Sequence, residues 1–339
     1  MVVNRYSAQI LLSEIGSGGQ ELLQQKHVLC IGAGGLAASV LPYLVAAGVG
    51  KITIVDADSV SISNLNRQVL FKEHDVGKLK AAVTSSYLQQ QNPQVNINYQ
   101  TIRFNLGNGQ DLINNCDLVI DCSDDYATKL AINYWCGQLN KPWVYASVLG
   151  WDGQVVLFPM QDDVSPCYKC FQQKTPTNLT SCSLSGVTGP AVNLIGSHQA
   201  MLALQALLGQ YHNANRVLVF DIWHLEMQSF ALKRQLDCKY HNQTLDEIPA
   251  IYYHQLADKL STIKLIDVRT NEEWEQGHYP QAIHIPIGSL LSSAEQYLSW
   301  DDELVIYCNR QTLSQLAVSN LRELGYKKLY VLKDGYKKI

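Results

Sequence analysis

Two short groups of residues have the types and spacing to hold a metal: Cys167-Tyr168-Lys169-Cys170 and, sixty-eight residues after the second of these cysteines, Cys238-Lys239-Tyr240-His241. In each group two residues separate the outer pair, a gap that lets both side chains reach one ion. Three thiolates and an imidazole make a closed tetrahedral set, which suits a structural Zn²⁺ better than a catalytic one with an open position. The expected ligands are therefore Cys167, Cys170, Cys238 and His241. Between the two halves lie Cys182 and a long apolar stretch, Val187 to Leu208.

A second kind of chemistry is written near the start. Gly32-Ala33-Gly34-Gly35-Leu36-Ala37 follows the apolar run Lys26 to Ile31 and opens an apolar helix reaching to about Ala47. Glycines Gly32, Gly34 and Gly35 in that setting let backbone approach phosphate, and the helix N-terminus favours its negative charge. Asp56 ends the next strand, Lys51 to Val55, where a carboxylate can accept from ribose hydroxyls. Alone, this pattern fits a nicotinamide dehydrogenase as well as an ATP enzyme, and a tight turn that binds nothing is the third reading. The residues that follow separate these readings: Ser63-Asn64-Leu65-Asn66-Arg67-Gln68, then Val76-Gly77-Lys78-Leu79-Lys80, then Asp121-Cys122-Ser123-Asp124-Asp125. Hydride transfer has no need of them. Formation of an acyl adenylate does, because Arg67 and Lys80 would neutralise the triphosphate while Asp124 holds Mg²⁺ against it as pyrophosphate leaves. Any one of these charges could be a solvated surface group; their joint spacing points to adenylation.

The elements that must position these residues alternate. Short apolar strands at Lys26 to Ile31, Lys51 to Val55, Leu118 to Asp121 and Trp143 to Ser147 are interleaved with helices, one of them Thr128 to Leu139. That order predicts an α/β, Rossmann-like domain with a mostly parallel sheet and a zinc knuckle. Residues 242–250 are polar and contain Pro249, and so read as a linker between a domain over 1–241 and a smaller α/β module over 251–339. In that module Leu265-Ile266-Asp267, Leu304 to Tyr307 and Lys328 to Leu332 read as strands, and Leu313 to Leu324 as a helix. A chain of 339 residues accommodates two such domains at ~150 residues each. With 26 Lys+Arg against 30 Asp+Glu and a net charge of −4, no nucleic-acid surface is expected. Asn193, His198 and Gln199 interrupt the most apolar stretch, which argues for a buried helix and against a membrane span. His198 and Gln199 read as buried, hydrogen-bonded groups. The first five residues lack a basic-then-apolar leader pattern, and nine cysteines, an odd number, suit the reducing cytoplasm.

From Arg5-Tyr6-Ser7-Ala8-Gln9-Ile10 to about His241 the chain resembles the MoeB/ThiF branch of the ubiquitin-activating-like enzymes. The glycine loop, Asn64-Leu65-Asn66-Arg67-Gln68, Asp121-Cys122-Ser123-Asp124, Cys167-Tyr168-Lys169-Cys170 and Gly196-Ser197-His198-Gln199-Ala200 carry the likeness. The resemblance implies ATP-dependent adenylation of the C-terminal glycine of a ubiquitin-like sulfur carrier ending in Gly-Gly, by a homodimer holding a structural zinc. It assigns Asp56 to ribose, Asn64, Arg67 and Lys80 to the phosphates, and Asp124 to Mg²⁺. It also makes Cys182 the thiol that accepts an acyl group or sulfur, although a purely structural thiol or spare zinc ligand fits that residue too. Three positions depart from the pattern. Ala8 stands where the family has an arginine that reaches the partner subunit's nucleotide, and Arg5 one turn away is its candidate substitute. Ala37 replaces the last glycine of the loop, and His241 the fourth zinc cysteine.

Beyond the linker, Asp267-Val268-Arg269 and Glu275-Gln276-Gly277-His278-Tyr279-Pro280-Gln281-Ala282-Ile283-His284-Ile285-Pro286 resemble the opening of a rhodanese domain. Cys308 then lies between a strand and a helix, where loop amides and the helix dipole could cradle a persulfide anion. Gln311 and Leu313 replace a glycine and an arginine usual in that loop, and Arg310 is the cation that remains. Together the two resemblances imply adenylation coupled to sulfur transfer from a donor such as a cysteine desulfurase, for molybdopterin or thiamine synthesis. A scaffold that only binds the carrier, and an enzyme adenylating a non-protein carboxylate or nucleoside, are the alternatives.

Overall fold

A computed structural model describes residues 5–160, 165–172, 186–235, 238, 248–256, 262–309 and 311–336, with some helical side chains excepted. The chain forms two compact units, Met1–His241 and Asn242–Ile339. Cys182, His241 and Arg310 fall outside the described residues.

The first unit is built on an eight-stranded sheet: β1 (His27–Ile31), β2 (Lys51–Val55), β3 (Asn96–Gln100), β4 (Leu118–Asp121), β5 (Trp143–Leu149), β6 (Asp152–Phe158), β7 (Arg216–Asp221) and β8 (Glu226–Ala231). Their order is β3-β2-β1-β4-β5-β6-β7-β8. The β3-to-β5 half is parallel and the β5-to-β8 half antiparallel. Helices run in the order α1 (Ser7–Ile10), α2 (Gly16–Gln25), α3 (Gly35–Ala46), α4 (Lys80–Gln91), α5 (Leu106–Asn114), α6 (Tyr126–Gln138), α7 (Tyr168–Phe171) and α8 (Gly189–Leu207). Val28, Ile54, Ile120 and Val144 share one core cluster with Leu41 of α3 and Ala203 of α8. Their strand neighbours Leu29, Val119 and Trp143 are buried as well. Burial of both faces is why these central strands read as continuous apolar runs.

Strands β6 and β7 are apolar runs additional to the expected strands, whereas β3 and β8 are the strands that the sequence pattern does not announce. Every residue of β8 is exposed and β3 buries only its second residue, so neither carries the apolar alternation that marks a half-buried strand. Helix α6 begins two residues before the expected Thr128, because the Asp125 side chain accepts from Thr128 N at 2.7 Å and caps it.

Helix α8 is the predicted apolar helix, started by the Thr188 side chain, which accepts from Ala191 N. Among the described residues no helix is long and apolar enough to cross a membrane. It packs at backbone distance: a Cβ on Gly196 would lie 2.5 Å from Ser39 Cβ and 3.1 Å from Leu36 O, and one on Gly153 of β6 2.3 Å from Ile195 Cδ1. Small residues at this crossing bring α8 against the edge of the strands that carry the site.

The second unit has five parallel strands, β9 (Ala250–Ile251), β10 (Ile263–Asp267), β11 (Ile283–His284), β12 (Glu303–Tyr307) and β13 (Lys328–Leu332), in the order β11-β10-β12-β13-β9. Helices α9 (Asn271–Glu275), α10 (Ile287–Tyr297) and α11 (Gln311–Glu323) complete it. Ile248 packs on its core and Ala250 pairs with Val331. Residues at the end of the expected linker thus contribute an edge strand to this sheet.

Gly196→Val should cost about 1–3 kcal/mol of stability through overpacking against α3. Urea unfolding of the variant beside wild type measures it, the expected result being a lower midpoint at unchanged slope.

Candidate functional site

At the carboxyl ends of the parallel strands lies a cleft of about 290 Å³. The strand order turns about β1, whose neighbours β2 and β4 run to opposite sides, and ligands of open α/β sheets lodge at such a point. Gly32, Gly34, Gly35, Asp56, Arg67, Lys80 and Asp124 all line this cleft. Seven of the eight sequence-predicted cofactor residues are therefore brought together. The eighth, Asn64, is not among the lining residues; its Oδ1 accepts from Ser61 N at 3.1 Å and closes the turn ahead of Arg67.

The glycine loop follows from close approach. Gly32 has φ +95°, and a Cβ there would stand 2.6 Å from Cys122 O. Only glycine fits both the dihedral and the gap. Asp56 completes the loop: its Oδ2 accepts from Ala33 N at 2.7 Å and its Oδ1 from Asp58 N at 2.7 Å. Burial raises the Asp56 carboxyl above its ordinary range, with these two amides and Lys80 pulling the other way.

Two cations face the loop. Lys80 is 8% exposed and pairs with Asp58 at 3.2 Å. Arg67 donates to Ser63 O and to Asn66 Oδ1, both at 2.9 Å. Across the cleft Asp124 is exposed beside Asp125 on the loop between β4 and α6. This arrangement can hold a polyphosphate between backbone amides and cations, with the exposed Asp124 carboxylate opposite.

Sequence reasoning passes over several residues of the lining. Gln68 lies within the quoted Asn64-to-Gln68 motif; it is 5% exposed, and its Oε1 has no hydrogen-bond partner among the described residues. Arg103 reaches Asp58 at 3.6 Å from the segment after β3, a strand the pattern conceals. Lys129 sits in the first turns of α6, 6% exposed, and pairs with the fully buried Asp121 at 2.7 Å. Its only sequence signal is a lysine in an otherwise uncharged helix. Beneath them Gln199, fully buried, donates from Nε2 to Asp121 O at 2.7 Å and to Val144 O at 3.1 Å. His198 sets Nδ1 against Leu194 O at 2.9 Å and its ring edge-on to Phe220. Gln199 is thus buried and hydrogen-bonded as expected, whereas His198 is hydrogen-bonded but only half-buried. Arg5 donates to Gln91 O at 3.2 Å, and Ala8 is exposed on α1.

Apart from the cleft, Cys167, Cys170 and Cys238 place their sulfurs within 4.8 Å of one another. Cys167 Sγ is 4.0 Å from that of Cys170 and 3.7 Å from that of Cys238. Tetrahedral zinc with Zn–S of about 2.3 Å requires S···S edges of about 3.8 Å, so these residues fit the ion. The two neighbouring sulfurs, then burial, push the Cys167 thiol far up, a cost that a divalent cation would reverse.

In the second unit Cys308 ends β12 and is 1% exposed. Its carbonyl accepts from Tyr336 N at 3.0 Å. The next residue, Asn309, accepts at Oδ1 from Arg269 Nη1 at 3.2 Å and donates from Nδ2 to Glu273 Oε1 at 2.5 Å. Arg269, 2% exposed, is itself gripped by both oxygens of buried Asp267.

Residues 6–240 match the ThiF family model, and residues 252–339 that of the rhodanese-like domain. The chain belongs to the ThiF family. Among its relatives, the adenylyltransferase and sulfurtransferase UBA4 of Meyerozyma guilliermondii is 33% identical, over 98% of this chain and 86% of that protein. The sulfur carrier protein adenylyltransferase of Thermus thermophilus is 37% identical over 70% of this chain and 89% of its own length. The crystal structure of Escherichia coli MccB with ATP shares the fold of this ThiF member at a TM-score of 0.62 and 22% identity, over 70% of this chain and 73% of that one.

Gln199→Leu would strand two buried carbonyls, Asp121 O and Val144 O, at the floor of the cleft. The expected loss is about 2–5 kcal/mol, read as a lower denaturant midpoint; an unchanged midpoint would show the two carbonyls find other donors.

Proposed function

We propose that this ThiF-family protein adenylates the C-terminal glycine of a ubiquitin-like sulfur carrier and then converts that carboxylate to a thiocarboxylate. The observation that carries the reading is the gathering of Gly32, Gly34, Gly35, Asp56, Arg67, Lys80 and Asp124 in one cleft, in a chain that also holds a rhodanese-like unit with Cys308. The names of its relatives support both halves.

In this reading the glycine loop amides, Arg67 and Lys80 hold the triphosphate and Asp56 the ribose, while Asn64 closes the turn that presents Arg67. Asp124 would hold Mg²⁺, which would supply charge neutralisation; the carrier carboxylate attacks the α-phosphorus and pyrophosphate departs. The terminal sulfur of a Cys308 persulfide then displaces AMP from the acyl adenylate and forms an acyl disulfide. A thiolate, with Cys182 as its candidate, attacks the Cys308 sulfur and releases the thiocarboxylate, so the two cysteines end as a disulfide and supply both electrons. A homodimer is part of the proposal, as is a sulfur donor such as a cysteine desulfurase. A carrier-binding scaffold without adenylation is the second reading, favoured by Ala8 and by the engagement of Arg5 with Gln91 O.

Zinc would be held by Cys167 at the N-cap of α7, Cys170 within it, Cys238 and His241, and so would tie α7 to the end of the first unit. Metal analysis should find about one zinc per chain, and a chelator should lower the thermal midpoint of the first unit. Cys170→Ser that kept full zinc content would remove this cysteine from the ligand set.

ATP–pyrophosphate exchange should appear only when a carrier ending in Gly-Gly is added. Tight carrier binding without exchange would establish the scaffold instead. With thiosulfate as donor, Cys308→Ala should abolish thiocarboxylate formation while exchange persists; thiocarboxylate at the wild-type rate would refute the rhodanese step.

A further inference from the structure

Lys129 is the most heavily engaged buried cation near the cleft, and nothing in the adenylation scheme above uses it. Its ammonium makes four interactions at once: Asp121 Oδ2 at 2.7 Å, Ser123 O at 2.8 Å, Ala146 O at 3.4 Å, and the face of the Tyr145 ring at 5.0 Å. These partners lie on β4, on the loop that follows it, and on β5. Asp121, with no exposed surface, turns its other oxygen to Ser123, accepting from N at 3.0 Å and from Oγ at 2.5 Å. Asp121 and Lys129 together therefore clamp Ser123 by its amide, hydroxyl and carbonyl.

The far end of the same loop is closed by Asp125, whose carboxylate accepts from Thr128 N and Thr128 Oγ1, both at 2.7 Å. Between these fixed points stands Asp124, exposed at the cleft. A charge so thoroughly desolvated is costly unless its partners are in place. Burial alone would lower the Lys129 ammonium, but Asp121 and Tyr145 outweigh it and hold it above its ordinary value.

We infer that Lys129 is a positioning residue for the Ser123–Asp125 loop, fixing where Asp124 presents its carboxylate to a metal–nucleotide complex. The inference rests on the proposed adenylation, and it extends that reading from residues that touch the nucleotide to one that acts through another. A guanidinium can replace the ammonium against Asp121 and the two carbonyls, whereas a neutral chain of similar length cannot.

The test pairs two readouts on the full chain with Lys129→Met, Lys129→Arg and the double variant Asp121→Asn/Lys129→Met. The double variant removes both charges, so it keeps the test open if Lys129→Met alone fails to fold. Backbone hydrogen exchange of the peptide containing residues 122–125 should quicken at least tenfold in the folded neutral variants and return toward wild type in Lys129→Arg. Carrier-dependent ATP–pyrophosphate exchange should need at least tenfold more Mg²⁺ for half-maximal rate in the same variants, with the carrier KM within twofold of wild type. Unchanged loop protection in the neutral variants overturns the inference, whatever the activity. So does a Mg²⁺ requirement equal to wild type in an active variant. If wild type itself shows no carrier-dependent exchange, the proposed function fails, and quickened loop exchange would then support loop anchoring alone.

Discussion

The site depends on two strand ends meeting without room for a side chain. At the point where the sheet order turns, the loop after β1 presses Gly32 against the carbonyl of Cys122 at the end of β4; a methyl group there would come to 2.6 Å. This contact decides how closely the glycine loop and the Asp121-to-Asp125 loop can face each other. Every polar device around it serves the same junction. Asp56 ties Ala33 down from the side of β2, and Gln199 holds the carbonyls of Asp121 and Val144 from below.

The floor of the cleft is thus polar although the core around it is apolar. Buried groups of this kind are tolerated because each is met by partners: Gln199 by two carbonyls, Lys129 by a carboxylate and two carbonyls. Apolar contacts cannot set the height of one strand end against another, whereas hydrogen bonds to fixed carbonyls do. Such a floor can hold Arg67, Lys80 and Asp124 in register around a shared ligand. The cations are not idle without it, since Lys80 already neutralises Asp58 and Arg67 folds onto its own turn. Ligand phosphate would compete with those partners, which tempers affinity and aids release of product.

The parts of this arrangement that the sequence reveals are those encoded by short spacing. Two cysteines three positions apart, a glycine run after an apolar strand, and the carboxylate that ends the next strand are each set by local geometry; the structure gathers the last two in the cleft and the cysteines in a cluster of their own. Asn64 shows the limit of that reasoning, because one side chain in a motif can serve the turn that presents its neighbours. Lys129 and Gln199 lie eight and seventy-eight positions from Asp121, and only the folded sheet makes them its partners. Strand β8, at the end of the antiparallel flank, was hidden for a different reason. A strand exposed on both faces, as β8 is, carries no periodic burial to read.

Cys308 raises a problem of reach that its chemistry resolves. At 1% exposure its thiol sits beneath the surface of the second unit, with Tyr336 N bonded to its carbonyl and a methyl-free Gly335 packed against the same oxygen. In the proposed scheme an acyl group on a carrier tail meets the outer sulfur of a persulfide and not this buried one. Conversion to a persulfide adds a second sulfur about 2.05 Å further out, and the atom that must attack becomes the outer one. In that scheme burial of the inner sulfur would disfavour direct acylation, which would yield a thioester in place of the thiocarboxylate. The segment around Asn309 is held by Arg269 and Glu273, which keeps the surroundings of Cys308 steady.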